Sequence, residues 1–132
     1  MNTLLQKLSN RPKPINVVII GLGAMGKGLF YQCTITPGVR CLAVADLNIN
    51  KCMDAANMLN QKHTVVNNDG QLADAINNGS VGLTENGMLL AACEQADVVI
   101  EASNAIADGA KFVLTALRNR KHVVLMNAEI DL

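Results

Sequence analysis

The sequence contains no tryptophan, one tyrosine and two phenylalanines among its 132 residues. Proteins that bind single-stranded nucleic acid use aromatic side chains as stacking platforms, so this composition argues against such a function. An excess of charge of one sign is missing too, because 11 basic residues balance 11 acidic ones. A DNA- or RNA-binding domain would show clusters of lysine and arginine. We therefore expect no nucleic-acid partner.

Long hydrophobic runs are also absent. No apolar run approaches the roughly 20 residues that a membrane-spanning helix needs, and the N-terminus lacks the apolar segment of a signal peptide. The cysteines form no Cys-x-x-Cys pair and do not cluster with His63 or His122. This pattern predicts no membrane partner, no metal site, and mostly buried thiols in a reducing cytoplasm. The four cysteines are Cys33, Cys41, Cys52 and Cys93.

Hydrophobic residues, by contrast, make up half of the sequence. A chain of this length and composition can bury the core of a single domain. Residues 2–10 carry leucines at helical spacing, and the two prolines among residues 11–14 stop that helix. We therefore predict a leader helix and linker over residues 1–14 and one domain over residues 15–132.

The most informative stretch is the apolar run of residues 17–20 and the glycines that follow it. Gly21, Gly23 and Gly26 have the spacing Gly-x-Gly-x-x-Gly, and a helix-compatible segment comes next. The pattern predicts a buried strand, a tight turn, and a helix that begins at Gly23 or Ala24. This is the arrangement in which a helix N-terminus binds the pyrophosphate of a dinucleotide.

Each glycine of this turn has its own predicted role. Gly21 allows the tight turn, Gly23 lets the pyrophosphate contact the backbone, and Gly26 lets the helix lie close to the strand. Ala24 and Met25 fall in the first helical turn, where N–H groups are unpaired and the helix dipole is positive. The alternative is a scaffold that folds this way and binds no ligand.

A second apolar strand is predicted at Val39–Ala45, and it ends at Asp46, roughly 20–25 residues beyond the first glycine. A carboxylate at this position accepts the ribose hydroxyls of an adenosine and repels a 2′-phosphate, which favours NAD over NADP. Leu47 follows it at the same edge of the sheet. The alternative role for Asp46 is an N-cap, because the next helix is expected to begin near Asn48 or Asn50.

Strands and helices alternate over the rest of the sequence. Helices are predicted at about residues 50–61, at Asp69–Asn77 with Asp69 as its cap, at residues 87–94 and at residues 106–119. Strands are predicted at Val81–Thr84, at residues 98–100 and at residues 122–126, while residues 64–66 form either a strand or a linker. Such alternation implies parallel pairing through right-handed crossovers. We predict an α/β fold with a doubly wound parallel sheet in the order 3-2-1-4-5, with Val81–Thr84 as strand 3 at the edge.

Polar residues follow the last two predicted strands. Glu101, Ser103 and Asn104 follow the fourth strand, and Asn127 and Glu129 follow the fifth. In a doubly wound sheet these segments meet the glycine turn at the carboxyl edge, where the nicotinamide half of a dinucleotide would lie. Ser103 and Asn104 either donate hydrogen bonds to ribose hydroxyls or cap the next helix. Glu101 either forms a hydrogen bond with the backbone or orients a ribose. Glu129 is either an acid, base or metal ligand, or a solvated residue without a chemical role.

Residues 97–103 and 121–129 resemble the homoserine-dehydrogenase-like oxidoreductases. More narrowly, they are similar to the branch in which a SAF domain follows the catalytic part. One member of that branch is a reductoisomerase-like enzyme that acts on deoxyxylulose phosphate. The resemblance implies a Rossmann-type NAD(P)-binding domain. It also implies cofactor contacts from Gly21, Gly23, Gly26, Asp46, Ser103 and Asn104.

Two departures limit what the resemblance implies. Homoserine dehydrogenases place a catalytic lysine directly after the asparagine of the last loop, and Ala128 stands there in this sequence, so homoserine is not the expected substrate. The sequence also ends at Leu132, before any substrate-binding and dimerising region. We expect the cofactor domain of an NAD(P)-dependent oxidoreductase, which would meet a small carbonyl or alcohol substrate and form a homo-oligomer through a further region. The alternative is a non-catalytic dinucleotide-binding or redox-sensing module.

Overall fold

The computed structural model describes residues 3–10, 12–104 and 106–126. The helices are α1 (Thr3–Ser9), α2 (Ala24–Ile35), α3 (Ile49–Met58), α4 (Asp69–Asn77), α5 (Gly87–Ala91) and α6 (Ile106–Arg118). The strands are β1 (Ile15–Ile20), β2 (Val39–Ala45), β3 (His63–Val65), β4 (Val81–Thr84), β5 (Val98–Glu101) and β6 (His122–Leu125). Every pairing in the sheet is parallel. Each strand therefore reaches the next through a helix, which confirms the predicted α/β class.

The strand order of the sheet is β3-β4-β2-β1-β5-β6. The segment β4-β2-β1-β5-β6 reproduces the predicted order 3-2-1-4-5, and β3 is added outside it. The prediction that Val81–Thr84 forms the edge was wrong, because this strand pairs with β2 on one side and β3 on the other. All four of its residues are buried. The true edge strand is His63–Val65, whose three side chains are only partly buried or exposed. The sequence leaves residues 64–66 open between a strand and a linker, and the structure shows a strand there.

The four inner strands, β4, β2, β1 and β5, are largely buried on both faces, as almost continuously apolar strands require, whereas most side chains of the edge strands β3 and β6 are exposed. Along β1, Val18 and Ile20 pack in a core with residues of α4, α5 and α6. Ile19 points to the opposite face and packs with Phe30 of α2 and with residues of α3. The alternation along one strand therefore divides the helices into two layers, with α2 and α3 on one side and α4–α6 on the other.

Asparagine residues are the N-caps of three helices. At the start of α3, the side chain of Asn48 accepts a hydrogen bond from the N–H of Asn50. At the start of α5, the side chain of Asn86 accepts from the N–H groups of Met88 and Leu89. At α4 the cap is Asn68, whose side chain accepts from the N–H of Gln71. The prediction of Asp69 as this cap was wrong, because Asn68 has the extended backbone of an N-cap and Asp69 is already helical. Asp69 lies in the first turn, where its charge suits the helix dipole.

The helix α1 lies where the sequence predicts a leader helix, and Leu4 on it is exposed. The helix α5 ends at Ala91, three residues earlier than predicted. Within the described ranges, no helix is long and apolar enough to cross a membrane.

Candidate functional site

A crevice of about 470 Å³ opens at the carboxyl ends of β1, β2, β4 and β5. Ile20 and Gly21 line it from β1, and Ala45, Glu85 and Ala102 line it from the ends of the other three strands. In the sheet, β1 has β2 as its neighbour on one side and β5 as its neighbour on the other. The crevice thus lies at the point where the strand order reverses, which is where doubly wound sheets bind ligands.

The glycine turn, residues 21–26, lines this crevice with Gly21 and Gly23. Gly21 has a φ of +101°, and a Cβ at this position would lie 2.6 Å from the backbone C of Ala102 and the N of Ser103. A Cβ at Gly26 would overlap the carbonyl oxygen of Gly21. Packing within the protein therefore requires both glycines, because a side chain at either position would push the turn away from β5 or α2.

Gly23 differs from the other two glycines of the turn. A Cβ built on it meets no atom within 4 Å, and its φ of −71° is open to any residue. Among residues 3–10, 12–104 and 106–126, no packing contact therefore requires glycine at this position. The absent side chain leaves free space at the crevice wall, directly before the N-terminus of α2, as an anion that touches the backbone would need.

Ala24 and Met25 form the first turn of α2, and both side chains are exposed. Neither side chain lines the crevice. Their contribution to a ligand would come from backbone N–H groups, which have no partner inside a helix at this position.

Asp46 connects the end of β2 to the glycine turn. Its Oδ2 accepts a hydrogen bond from the N–H of Leu22 at 2.8 Å, and its Oδ1 accepts one from the N–H of Asn48 at 2.9 Å. The N-cap of α3 is Asn48, so the alternative that Asp46 caps this helix is wrong. Asp46 and the exposed Leu47 both line the crevice. Each carboxylate oxygen has a second lone pair, so Asp46 keeps the capacity to accept from a ligand hydroxyl.

Glu101 ends β5 and is fully buried. Its Oε1 accepts hydrogen bonds from the N–H of Ser103, at 2.8 Å, and from the Ser103 hydroxyl. Its Oε2 is buried and has no hydrogen-bond partner among the described residues. Burial raises the pKa of Glu101, and the two hydrogen bonds from Ser103 partly offset this effect. Of the two roles expected for Glu101, the structure shows the hydrogen bond to backbone.

Ser103 and Asn104 line the crevice across from Asp46, together with Asp108 and Phe112 of α6. A Cβ at Gly87 would lie 2.7 Å from Cζ of Phe112, so this glycine makes room for the phenylalanine ring. The sequence interpretation did not single out Phe112, Asp108 or Glu85. Glu85 follows a parallel strand, which is a usable signal, but Asp108 and Phe112 reach the crevice only because of how α6 docks on the sheet.

Two predicted site residues, Asn127 and Glu129, lie outside the described residues. Among residues 3–10, 12–104 and 106–126, no group of three or more His, Cys, Asp or Glu side chains is placed to hold a metal ion. Burial raises the pKa of all four thiols, to about 12 for Cys52, so they are protonated at neutral pH. Thiolate chemistry therefore has no support from these four residues.

The chain matches no protein-family model and no curated protein in sequence. Its fold matches a myo-inositol dehydrogenase from Lactobacillus casei, solved with NAD(H) and myo-inositol, with a TM-score of 0.63 at 20% identity over 85% of this chain and 28% of that one. A probable dehydrogenase from Thermotoga maritima gives 0.63 at 15% identity, over 83% and 27%. A putative NADPH-dependent oxidoreductase from Desulfitobacterium hafniense gives 0.60 at 16%, over 87% and 27%.

These structures share the Rossmann-type fold with this chain, which spans little more than a quarter of their length. At such low identity the likeness is one of fold alone.

Proposed function

We propose that this chain is the nicotinamide-dinucleotide-binding domain of an oxidoreductase that transfers hydride between nicotinamide and a small carbonyl or alcohol substrate. The observation that carries the proposal is Gly23, where no atom lies within 4 Å of the missing Cβ. The other two glycines of the turn serve internal packing, but no residue in the described part of the chain fills the space beside Gly23. A pyrophosphate at the N-terminus of α2 would fill it and meet the positive end of the helix dipole.

The rest of the crevice fits the same ligand. Its volume of about 470 Å³ falls in the usual range for small-molecule and cofactor sites, about 300–1,000 Å³. Asp46 lines the crevice and would accept ribose hydroxyls, and Ser103 and Asn104 line it as well. A bound dinucleotide would supply the hydride chemistry, and the chain would supply binding and orientation.

We propose NAD as the preferred coenzyme. The carboxylate of Asp46 would attract the 2′-hydroxyl of NAD and repel the 2′-phosphate of NADP. Lys51 lines the same crevice and is the cation that would oppose this preference. Among similar folds, one structure contains NAD(H) and another is described as NADPH-dependent, so the fold alone is compatible with either coenzyme.

Within the oxidoreductases, we propose the homoserine-dehydrogenase-like branch that carries a SAF domain, because residues 97–103 and 121–129 resemble it. Substrate binding and subunit contacts would come from a further region, and Glu129 would act there as acid or base. Ala128, in place of a lysine, supports a substrate other than homoserine. The four free thiols support a location in a reducing cytoplasm.

A non-catalytic dinucleotide sensor is the second candidate, and the same alanine favours it. A protein of this kind would need the crevice and the glycine turn but no acid or base beside the nicotinamide. Both candidates require dinucleotide binding, and only the first requires turnover of a substrate.

A fluorescence titration of NADH and NADPH tests the proposal. The chain has no tryptophan, so nicotinamide fluorescence can be followed with little protein background. We expect NADH to bind, and to bind more tightly than NADPH. Tighter binding of NADPH would contradict the role of Asp46, and binding of neither would contradict the proposed function.

A further inference from the structure

The loop that follows β5, residues 102–104, packs directly on the glycine turn. Gly21 approaches it so closely that a Cβ would lie 2.6 Å from both the backbone C of Ala102 and the N of Ser103. Gly21 in turn is packed against Gly26 of α2. The position of the Ala102–Ser103 peptide therefore determines where the glycine turn can lie.

The buried carboxylate of Glu101 forms hydrogen bonds that fix this peptide. Its Oε1 accepts from both the N–H and the hydroxyl of Ser103, and the side chain is fully buried, so it does not line the crevice. The N–H of Ala102 donates to the carbonyl oxygen of Ile20 at 2.8 Å, which anchors the preceding peptide, Glu101–Ala102, to β1. Glu101 thus lies behind the crevice lining, and its side chain bonds to the lining residue Ser103.

We propose that Glu101 is a positioning residue whose carboxylate fixes the Ala102–Ser103 peptide against Gly21 and so holds the glycine turn in the shape that a pyrophosphate needs. This inference rests on the proposed function as far as the ligand is concerned. The shape of the turn itself can be measured without any ligand.

A purely structural role explains Glu101 poorly. A buried carboxylate with an oxygen that has no hydrogen-bond partner in the described part of the chain costs folding free energy, which is consistent with the raised pKa of this group. A methionine of similar size would fill the same volume at no such cost. What methionine cannot do is accept the two hydrogen bonds of Ser103.

Amide hydrogen exchange in the ligand-free chain tests the inference. In Glu101→Met we expect the Ser103 amide to exchange about tenfold faster, because it loses a hydrogen bond to a carboxylate. The amides of Gly21 and Leu22, which bond to Ala45 and Asp46, should accelerate with it. The amide of Gln71 at the start of α4 serves as the internal control and should not change.

A conservative variant separates positioning from charge and from general stability. Glu101→Gln keeps an acceptor oxygen and should leave the Ser103, Gly21 and Leu22 amides within about twofold of the parent. Ser103→Ala removes only the hydroxyl donor and should have a smaller effect of the same kind. It also serves as the second test if Glu101→Met does not fold. Unchanged exchange of Gly21 and Leu22 in both Glu101→Met and Ser103→Ala would overturn the inference.

Titration with NADH then connects the turn to binding. We expect Kd to rise about tenfold in Glu101→Met and to stay near the parent value in Glu101→Gln. Equal Kd in the parent and Glu101→Met would overturn the inference while leaving the proposed function intact. If the parent binds no dinucleotide, the proposed function fails, and the exchange rates alone decide whether Glu101 positions the turn.

Discussion

Two carboxylates flank the carboxyl end of β1, and they differ in a way that assigns their roles. Asp46, just past the end of β2, is partly exposed, lines the crevice and has both oxygens bonded to backbone N–H groups. Glu101, at the end of β5, is fully buried, and among the described residues only its Oε1 accepts hydrogen bonds. Both fix the backbone of a loop next to the glycine turn, but only Asp46 can also contact a ligand.

The difference shows that a polar residue at a strand end of a doubly wound sheet is not by itself a ligand contact. Asp46 lines the crevice, and each of its oxygens has a second lone pair with which it can accept from a ligand. Glu101 has no exposed surface, so any effect it has on binding must pass through Ser103. Exposure, which the sequence does not reveal, therefore separates a binding residue from a positioning one.

The largest effect is expected from breaking the glycine turn that lies between the two carboxylates. Gly26→Ala would place a Cβ on the carbonyl oxygen of Gly21, and we expect a loss of about 3 kcal/mol in the free energy of unfolding. Gly28→Ala is the matched control, because a Cβ there meets nothing within 4 Å in the same helix, and it should stabilise by about 0.5–1 kcal/mol. Urea denaturation followed by circular dichroism measures both. Equal stability of the two variants would mean that the turn is not packed as described.

A smaller effect, on binding, is expected from Asp46→Ala. The variant loses a ligand contact and the bond to Leu22, so Kd for NADH should rise about tenfold or more. Kd for NADPH should rise less, because the repulsion of the 2′-phosphate disappears with the carboxylate. Asp97→Ala is the control. Like Asp46, Asp97 accepts a hydrogen bond from a backbone N–H, that of Asn16 at 2.9 Å, but it lies at the opposite end of β1. A similar rise in Kd for both coenzymes would reduce Asp46 to a structural role.

The smallest effect is expected in the pH dependence of stability. The pKa of Glu101 in the folded chain is raised above its ordinary value of 4.5 by burial. Ionised Glu101 therefore lowers stability above the folded-state pKa, and this loss fades as the pH falls toward 4.5. Glu101→Gln should be more stable than the parent at pH 8, with a difference that shrinks toward pH 4.5. A difference that grows as the pH falls would contradict the burial of this carboxylate.

The glycine turn shows how much the sequence could predict. The spacing of Gly21, Gly23 and Gly26 fixed the order of strand, turn and helix, and the structure begins α2 at Ala24 as predicted. Val39–Ala45 was predicted from its apolar run alone and forms β2. Such segments are predictable because their local composition and their tertiary packing favour the same structure.

Features that depend on neighbours were not predictable. The sequence leaves residues 64–66 open between a strand and a linker, and His63–Val65 is a strand because it pairs with β4, while its own side chains are polar or exposed. Whether Glu101 is buried depends on the packing around the end of β5, and Phe112 lines the crevice only because Gly87 leaves room for its ring. The hydrogen bond of Asp46 to Leu22 joins residues 24 positions apart. No local pattern encodes such contacts.

The most direct test of the central claim compares NADH binding to Gly23→Val and Gly28→Val. Both positions are open in the protein, since a Cβ at either meets nothing within 4 Å, so both variants should fold. Only Gly23 faces the space assigned to the pyrophosphate. Valine there should raise Kd about tenfold to 100-fold, the usual cost of forcing extra methyl groups into an occupied space, while Gly28→Val should bind like the parent. Equal Kd values in the two variants would contradict pyrophosphate binding at this turn.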